Sequence, residues 1–133
     1  MISEHLIHLA MILHNRPKKT FCMDAWVCDT SACALGAAAT DPVFNKLGLY
    51  YREEQIRFQG ATGYQAGELF FDLSHYHNRF LFDPLTYREP YKRISIVAEW
   101  YQSHPEAFST THSRDVKPKH VVERINWLLE IDK

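Results

Sequence analysis

The sequence predicts a mainly α fold, a compact single-domain bundle of about five to seven short helices around an irregular middle section. Three observations carry this expectation. Apolar residues recur at three- and four-residue spacing in several separate segments, which is the signature of helices with one buried face. Residues that start or stop helices bound those segments: Ser3, Ser74 and Pro118 at starts, Pro17, Pro42 and Pro84 at ends. The 133 residues suit one domain, spanning 1–133. A chain of this length buries roughly two-thirds of its unfolded surface and needs no disulfide or metal to fold.

The first helix is expected from about Glu4 to His14, capped by Ser3, with Leu6, Leu9, Ala10 and Leu13 on its buried stripe. Asn15 to Pro17 end it, because proline cannot continue a helix. Phe21, Met23 and Trp26 read as inward-pointing anchors, and Asp24 as the cap of a single turn. Thr30 or Ser31 is the expected cap of a second helix, from about Ala32 to Ala39. Its five alanines and one glycine give it a thin body that can sit deep between neighbours. Asp41-Pro42 stops it. Val43, Phe44 and Leu47 fit a short helix ended by Gly48.

Residues 50–58 fit either a short strand or an extended loop, and Gly60 and Gly63 bracket a turn. A helical pattern returns at Ala66, Leu69, Phe70 and Leu73. Ser74 then caps a helix that carries Tyr76, Phe80 and Leu81, and Asp83-Pro84 ends it. After a linker at 85–90, Ile94, Val97, Ala98 and Tyr101 line one face of a helix from Tyr91 to Ser103. Residues 104–117 read as polar loop. Pro118 suits the first position of a last helix, with Val121, Val122, Ile125, Leu128 and Leu129 on its inner side.

Composition bounds the function. Apolar residues make up 46% and charged residues 23%, ordinary for a soluble globular protein, while aromatics at 14% are enriched. The formal net charge of −1 provides no general drive toward nucleic acid, whose binding requires neutralising many phosphates. No apolar run reaches the ~18 residues of a membrane span, and the first residues lack the charged start, apolar core and small-residue cleavage site of a leader, so neither membrane insertion nor export is expected. Three cysteines in such a chain point to reduced thiols, hence a cytoplasmic location.

The aromatic set Tyr50, Tyr51, Phe58, Tyr64 and Tyr76, interleaved with Arg52 and Arg57, is the strongest binding feature. Tyrosine and arginine are enriched at contact hot spots. The alternative is that these tyrosines simply pack, with their hydroxyls at the surface. A helix start at Thr30 or Ser31 would suit an anionic group.

Cys28 and Cys33 are five apart and form no Cys-x-x-Cys redox pair. Cys33, beside Ala34 and Ala37, reads as a small buried residue. Cys28, near a helix start, is the better candidate for a reactive thiol, and the two could form a reversible disulfide. The cysteine spacings lack the tight knuckle of zinc ribbons, so no metal site is expected. His5 and His8 share a helix face but read as surface residues, as do His75 and His77. No phosphate loop, dinucleotide fingerprint or nucleophile elbow is present, and no cofactor is implied.

The stretch Phe21-Cys22-Met23-Asp24-Ala25-Trp26, followed by Cys28-Asp29-Thr30-Ser31-Ala32-Cys33-Ala34-Leu35-Gly36, resembles a diffuse group of small proteins from bacteria and their phages. That group carries a Phe-x-Met-x-x-Trp element and then a Cys-Gly-Thr-x-x-Cys-x-x-Gly element. Here Asp29 stands where glycine is usual, which weighs against a turn that cradles an anion. The resemblance implies an α-helical domain and carries over no catalytic residue.

The expected function is that of a small intracellular binding or interaction protein of bacterial or phage origin. Its partner would be a protein or a small anionic, nucleotide-like ligand. Sequestering or inhibiting a host factor is the role a phage origin implies. The alternative is a cysteine-centred enzyme or thiol redox protein using Cys28 and Cys33. A homo-oligomeric component is a third reading.

Overall fold

The computed structural model describes residues 1–23, 25–28, 31–88 and 94–132, with the backbone alone at 28 and 31. Among these, seven α-helices dominate: α1 (Ser3–His14), α2 (Ala34–Ala39), α3 (Pro42–Lys46), α4 (Tyr64–Phe71), α5 (His75–Phe82), α6 (Ser95–Ser103) and α7 (Pro118–Ile131). The expected mainly α architecture is the one observed. Strands β1 (Val27–Cys28) and β2 (Ser31–Ala32) form a minimal antiparallel ladder. Strands β3 (Tyr50–Arg52), β4 (Gln55–Phe58) and β5 (Ala61–Thr62) form an antiparallel meander.

The alanine helix α2 is the centre of the fold. All six of its residues are buried, and it touches α1, α3 and the β3–β4 hairpin. Its small side chains matter because backbone approaches backbone here. A Cβ on Gly36 would stand 1.6 Å from the Trp26 carbonyl oxygen, so only glycine fits. Phe21 and Met23 are buried beside it as expected. Around α2, helix α1 contributes Leu6, Leu9 and Leu13, each 0% exposed. Burying each stabilises the fold by about 1.5–3 kcal/mol. Helices α1 and α7 lie against one another, and Val121, Ile125 and Leu128 complete the core from α7.

Several local expectations are corrected. Ser3 is the first residue of α1 and caps nothing. Ile2 holds the cap position, where its N–H donates to the Phe71 carbonyl at 2.9 Å. Helix α2 starts at Ala34 rather than Ala32, because Ser31 and Ala32 are taken into β2. The Cys22 N–H donates to the Ala32 carbonyl at 2.9 Å, and the Cys33 N–H donates to the Trp26 carbonyl at 3.2 Å. The cap of α2 is therefore Cys33, whose Sγ accepts from the Gly36 N–H at 3.3 Å.

Asp41 does more than end α2. Its carboxylate caps α3 by accepting from the Phe44 N–H at 3.1 Å. In α3, Val43 and Leu47 are four apart and share the solvent face, leaving Phe44 alone buried. In α4 the buried stripe is turned by one residue. Ala66, Gly67, Phe70 and Phe71 face inward, while Leu69 points out. Ser74 caps α5 as expected, accepting from the His77 N–H at 3.1 Å. The expected start of α6 at Tyr91, and the Asp24 cap, fall outside the described residues, and the described helix begins at Ser95.

Of the two expectations for residues 50–58, the strand is the one observed, as part of a small three-stranded meander. Glu53 and Glu54 link β3 to β4, with φ of 53° and 62°. Gln59 and Gly60 link β4 to β5, with φ of 49° and 85°. Two-residue loops with both φ positive match the right-handed twist of the strands they join.

Candidate binding cleft

Period-two alternation in the meander divides the aromatic and arginine set. Tyr51 pairs with the fully buried Ile56, and Phe58 pairs with Ala61, on the face that meets the core. Tyr50 pairs with Arg57 and Arg52 with Gln55 on the outward face. Arg57 Nε donates to the Arg52 carbonyl at 3.0 Å. Both guanidiniums turn to Glu53, each at 3.7 Å. The expected cluster is thus split by the pleat, and Tyr50, Arg52 and Arg57 do not join Tyr51 and Tyr64. Tyr76 is also elsewhere. It is exposed on α5, beside a groove of about 390 Å³ that includes His77, Ser95 and Glu99.

Tyr51 and Tyr64 do meet, in a cleft of about 480 Å³ whose walls include Trp26 and Phe82. That volume lies within the range of small-molecule sites, about 300–1,000 Å³. Trp26 and Tyr64 stand nearly perpendicular, 75° between planes and 4.9 Å between centroids. They form an aromatic corner. Gly63 lies beside the Trp26 ring, where a Cβ would make an ordinary contact at 3.7 Å, and its φ of 62° is what favours glycine. Tyr64 opens α4, and its carbonyl accepts from Nδ2 of the fully buried Asn78 at 3.1 Å. The Tyr64 hydroxyl points toward the Phe82 carbonyl, at 3.4 Å. Burial, and then the neighbouring Asp83, push its pKa up, so it stays neutral.

Cys33 lies at the cleft as well. Burial pushes its thiol up to about 11, against the smaller opposing effect of the Gly36 N–H. A thiol so placed is protonated at neutral pH, the reverse of an activated nucleophile. Cys22 is half-buried and free. Thr30 and the side chains of Ser31 and Cys28, on which the expected anion cradle and reactive thiol rest, lie outside the described residues.

Glu54 stands at the rim. Among the described lining residues it is the sole ionisable carboxylate, the others being apolar, aromatic or the neutral thiol. Sequence reading missed it, and it took Trp26 for a core anchor, whereas the indole is half-buried and walls the cleft. The signal available for Glu54 was its adjacency to Tyr50 and Tyr51 in a stretch with strand-forming residues on either side.

His5 and His8 of α1 are not surface residues. His5 stacks on Phe70, with ring centroids 4.3 Å apart, and its Nδ1 is 2.9 Å from the Phe70 carbonyl. His8 Nε2 is 3.0 Å from Asp41 Oδ2. Both are half-buried because the α1 stripe is wide enough to meet α3 and α4. No three His, Cys, Asp or Glu side chains gather among the described residues as a metal site would require. No described helix is long and apolar enough to cross a membrane.

Comparison with family models, with curated proteins and with solved structures finds no match to this chain.

Proposed function

We propose that this chain is a small binding protein without catalytic activity, and that its recognition site is the cleft between Trp26, Tyr51 and Tyr64. The observation that carries the reading is the aromatic corner. Two large rings held at right angles beside a cavity of about 480 Å³ leave apolar surface open to a ligand. Phe70 and Phe71, by contrast, are buried. The chemistry at the cleft supports binding over turnover. The Cys33 thiol and the Tyr64 phenol are both held in their neutral forms, and no described base stands within hydrogen-bond reach of Cys33 Sγ.

The occupant would be a small ligand or a single side chain presented by a protein partner. Either would suit a protein whose role is to capture or block another factor. An NMR fragment screen tests this reading. Fragments should perturb the Trp26 indole N–H, the Met23 methyl and the Tyr51 and Tyr64 rings together. Hits that leave those four signals unmoved would refute it.

A further inference from the structure

The proposed cleft has a charge and a ring geometry that together select its ligand. This inference rests on the cleft being the recognition site. An aromatic ring presents partial negative charge on its face, so a cation placed there is attracted and an anion repelled. Trp26 and Tyr64 meet edge to face, 75° between planes, and both line the cleft, so a compact cation seated there lies against aromatic surface. Tyr51 adds a further ring to the lining. Glu54 adds a full negative charge at the mouth.

Glu54 is also available. Arg52 and Arg57 both turn to Glu53, and Glu54 has no ion pair among the described residues. Its position is costly to maintain. Residues 53 and 54 carry φ of 53° and 62° without being glycine. Asn-Gly is the ordinary solution for such a turn. Glutamate in the left-handed region is disfavoured, and strained backbone of this kind clusters at ligand sites. Here it holds a carboxylate at the cleft mouth.

We propose that the cleft binds a methylated ammonium group, with the cation in the corner of Trp26 and Tyr64 and its charge balanced by Glu54. Methylation suits the site, because Met23, Val27, Phe82 and Pro84 in the lining give methyl groups apolar side chains to pack against. A negatively charged ligand of the nucleotide type would meet Glu54 and the ring faces with the wrong sign. The same head group occurs in free quaternary amines and in trimethylated lysine side chains, and the two sources share this chemistry.

Titration of the intact chain, followed by NMR and calorimetry, tests the proposal. Choline should shift the Trp26 indole and Tyr64 ring signals and bind roughly tenfold more tightly than 3,3-dimethyl-1-butanol, its uncharged isostere. Glu54→Gln, on an exposed turn, should weaken choline severalfold and leave the isostere unchanged. Trp26→Phe should weaken choline while the amide spectrum shows the fold intact. A trimethyllysine peptide, compared with its unmodified form, serves as the second arm. Tighter binding of choline or of that peptide supports the proposal and identifies the source. Equal binding of choline and its isostere, together with equal binding of the trimethylated and unmodified peptides, overturns it. If neutral aromatic fragments still occupy the cleft in that case, the binding reading survives and only the cation is lost. If nothing occupies it, both fall.

Discussion

Gly36 and Arg124 show how much a single residue decides here. At Gly36 the missing side chain is the requirement, because the Trp26 carbonyl fills the space a Cβ would take. The two backbones cannot part without moving Trp26, and with it a wall of the cleft. Gly36→Ala should destabilise the protein by about 3 kcal/mol or more, read as a lower denaturation midpoint in urea. Arg124 is 1% exposed. Its Nη1 donates to the Phe80 carbonyl at 2.7 Å and to Thr86 Oγ1 at 2.9 Å. Its Nη2 donates to the Thr86 carbonyl at 2.9 Å and to the Tyr101 hydroxyl at 3.1 Å. The guanidinium carbon also lies 3.6 Å from the Tyr87 ring centroid. One fork therefore ties α5, the turn at Pro84–Tyr87, α6 and α7 together. Arg124→Met would leave several buried acceptors without donors and should cost about 3 kcal/mol. Arg124→Lys should recover only part of this, since a single ammonium cannot reproduce the planar fork. Equilibrium unfolding of both variants checks the ordering.

At the scale of elements, the β3–β4 hairpin sets stability against binding. The Glu53-Glu54 turn adopts a backbone that Asn-Gly would adopt at lower cost. Replacing the pair by Glu53→Asn and Glu54→Gly should raise stability by about 1–2 kcal/mol. The same double change should abolish the preference for a charged ligand, because the rim carboxylate goes with it. A gain in thermal midpoint together with undiminished choline affinity would contradict the assignment of Glu54. Helix caps are the other element-scale device. Asp41 caps α3 and meets His8 at 3.0 Å, and Asp41→Ala should cost about 1–2 kcal/mol. The caps at Ser74 and the stop at Asp83-Pro84 were legible because they depend on neighbours a few residues away. The hairpin was not, because its first turn lacks the Asn-Gly signal and its strands are only three and four residues long.

For the whole molecule, one histidine that closes the loop onto α7 makes folding sensitive to pH. His120 lies flat on Phe108, with ring centroids 3.6 Å apart, and its Nδ1 accepts from the Lys117 N–H at 2.9 Å. Burial, and then the positive charges of Lys119, Lys117 and Arg124, lower its pKa from 6.5 to about 4. Between those values the unfolded chain binds the proton and the folded chain resists it. This contribution to stability is complete above about pH 6.5 and is lost as pH falls toward 4. His120→Gln should flatten the fall in urea midpoint across that window. An unchanged slope would assign the acid sensitivity to other groups.

The sequence by itself determined the helical class, most helix stops, the buried alanine helix and the buried state of Cys33. Each of these follows from local spacing or from side-chain size, which act over a few residues. Tertiary structure decided which apolar residues turned outward, as with Leu69 and Leu47, and which polar ones turned in, as with Arg124 and His5. It also split Tyr50 from Tyr51 and brought Trp26 to Tyr64 across 38 positions of chain. Such choices depend on what a face meets after the chain has folded back. A helical or strand period specifies that a face exists, and packing alone specifies whether the neighbour is core, carbonyl or open cleft.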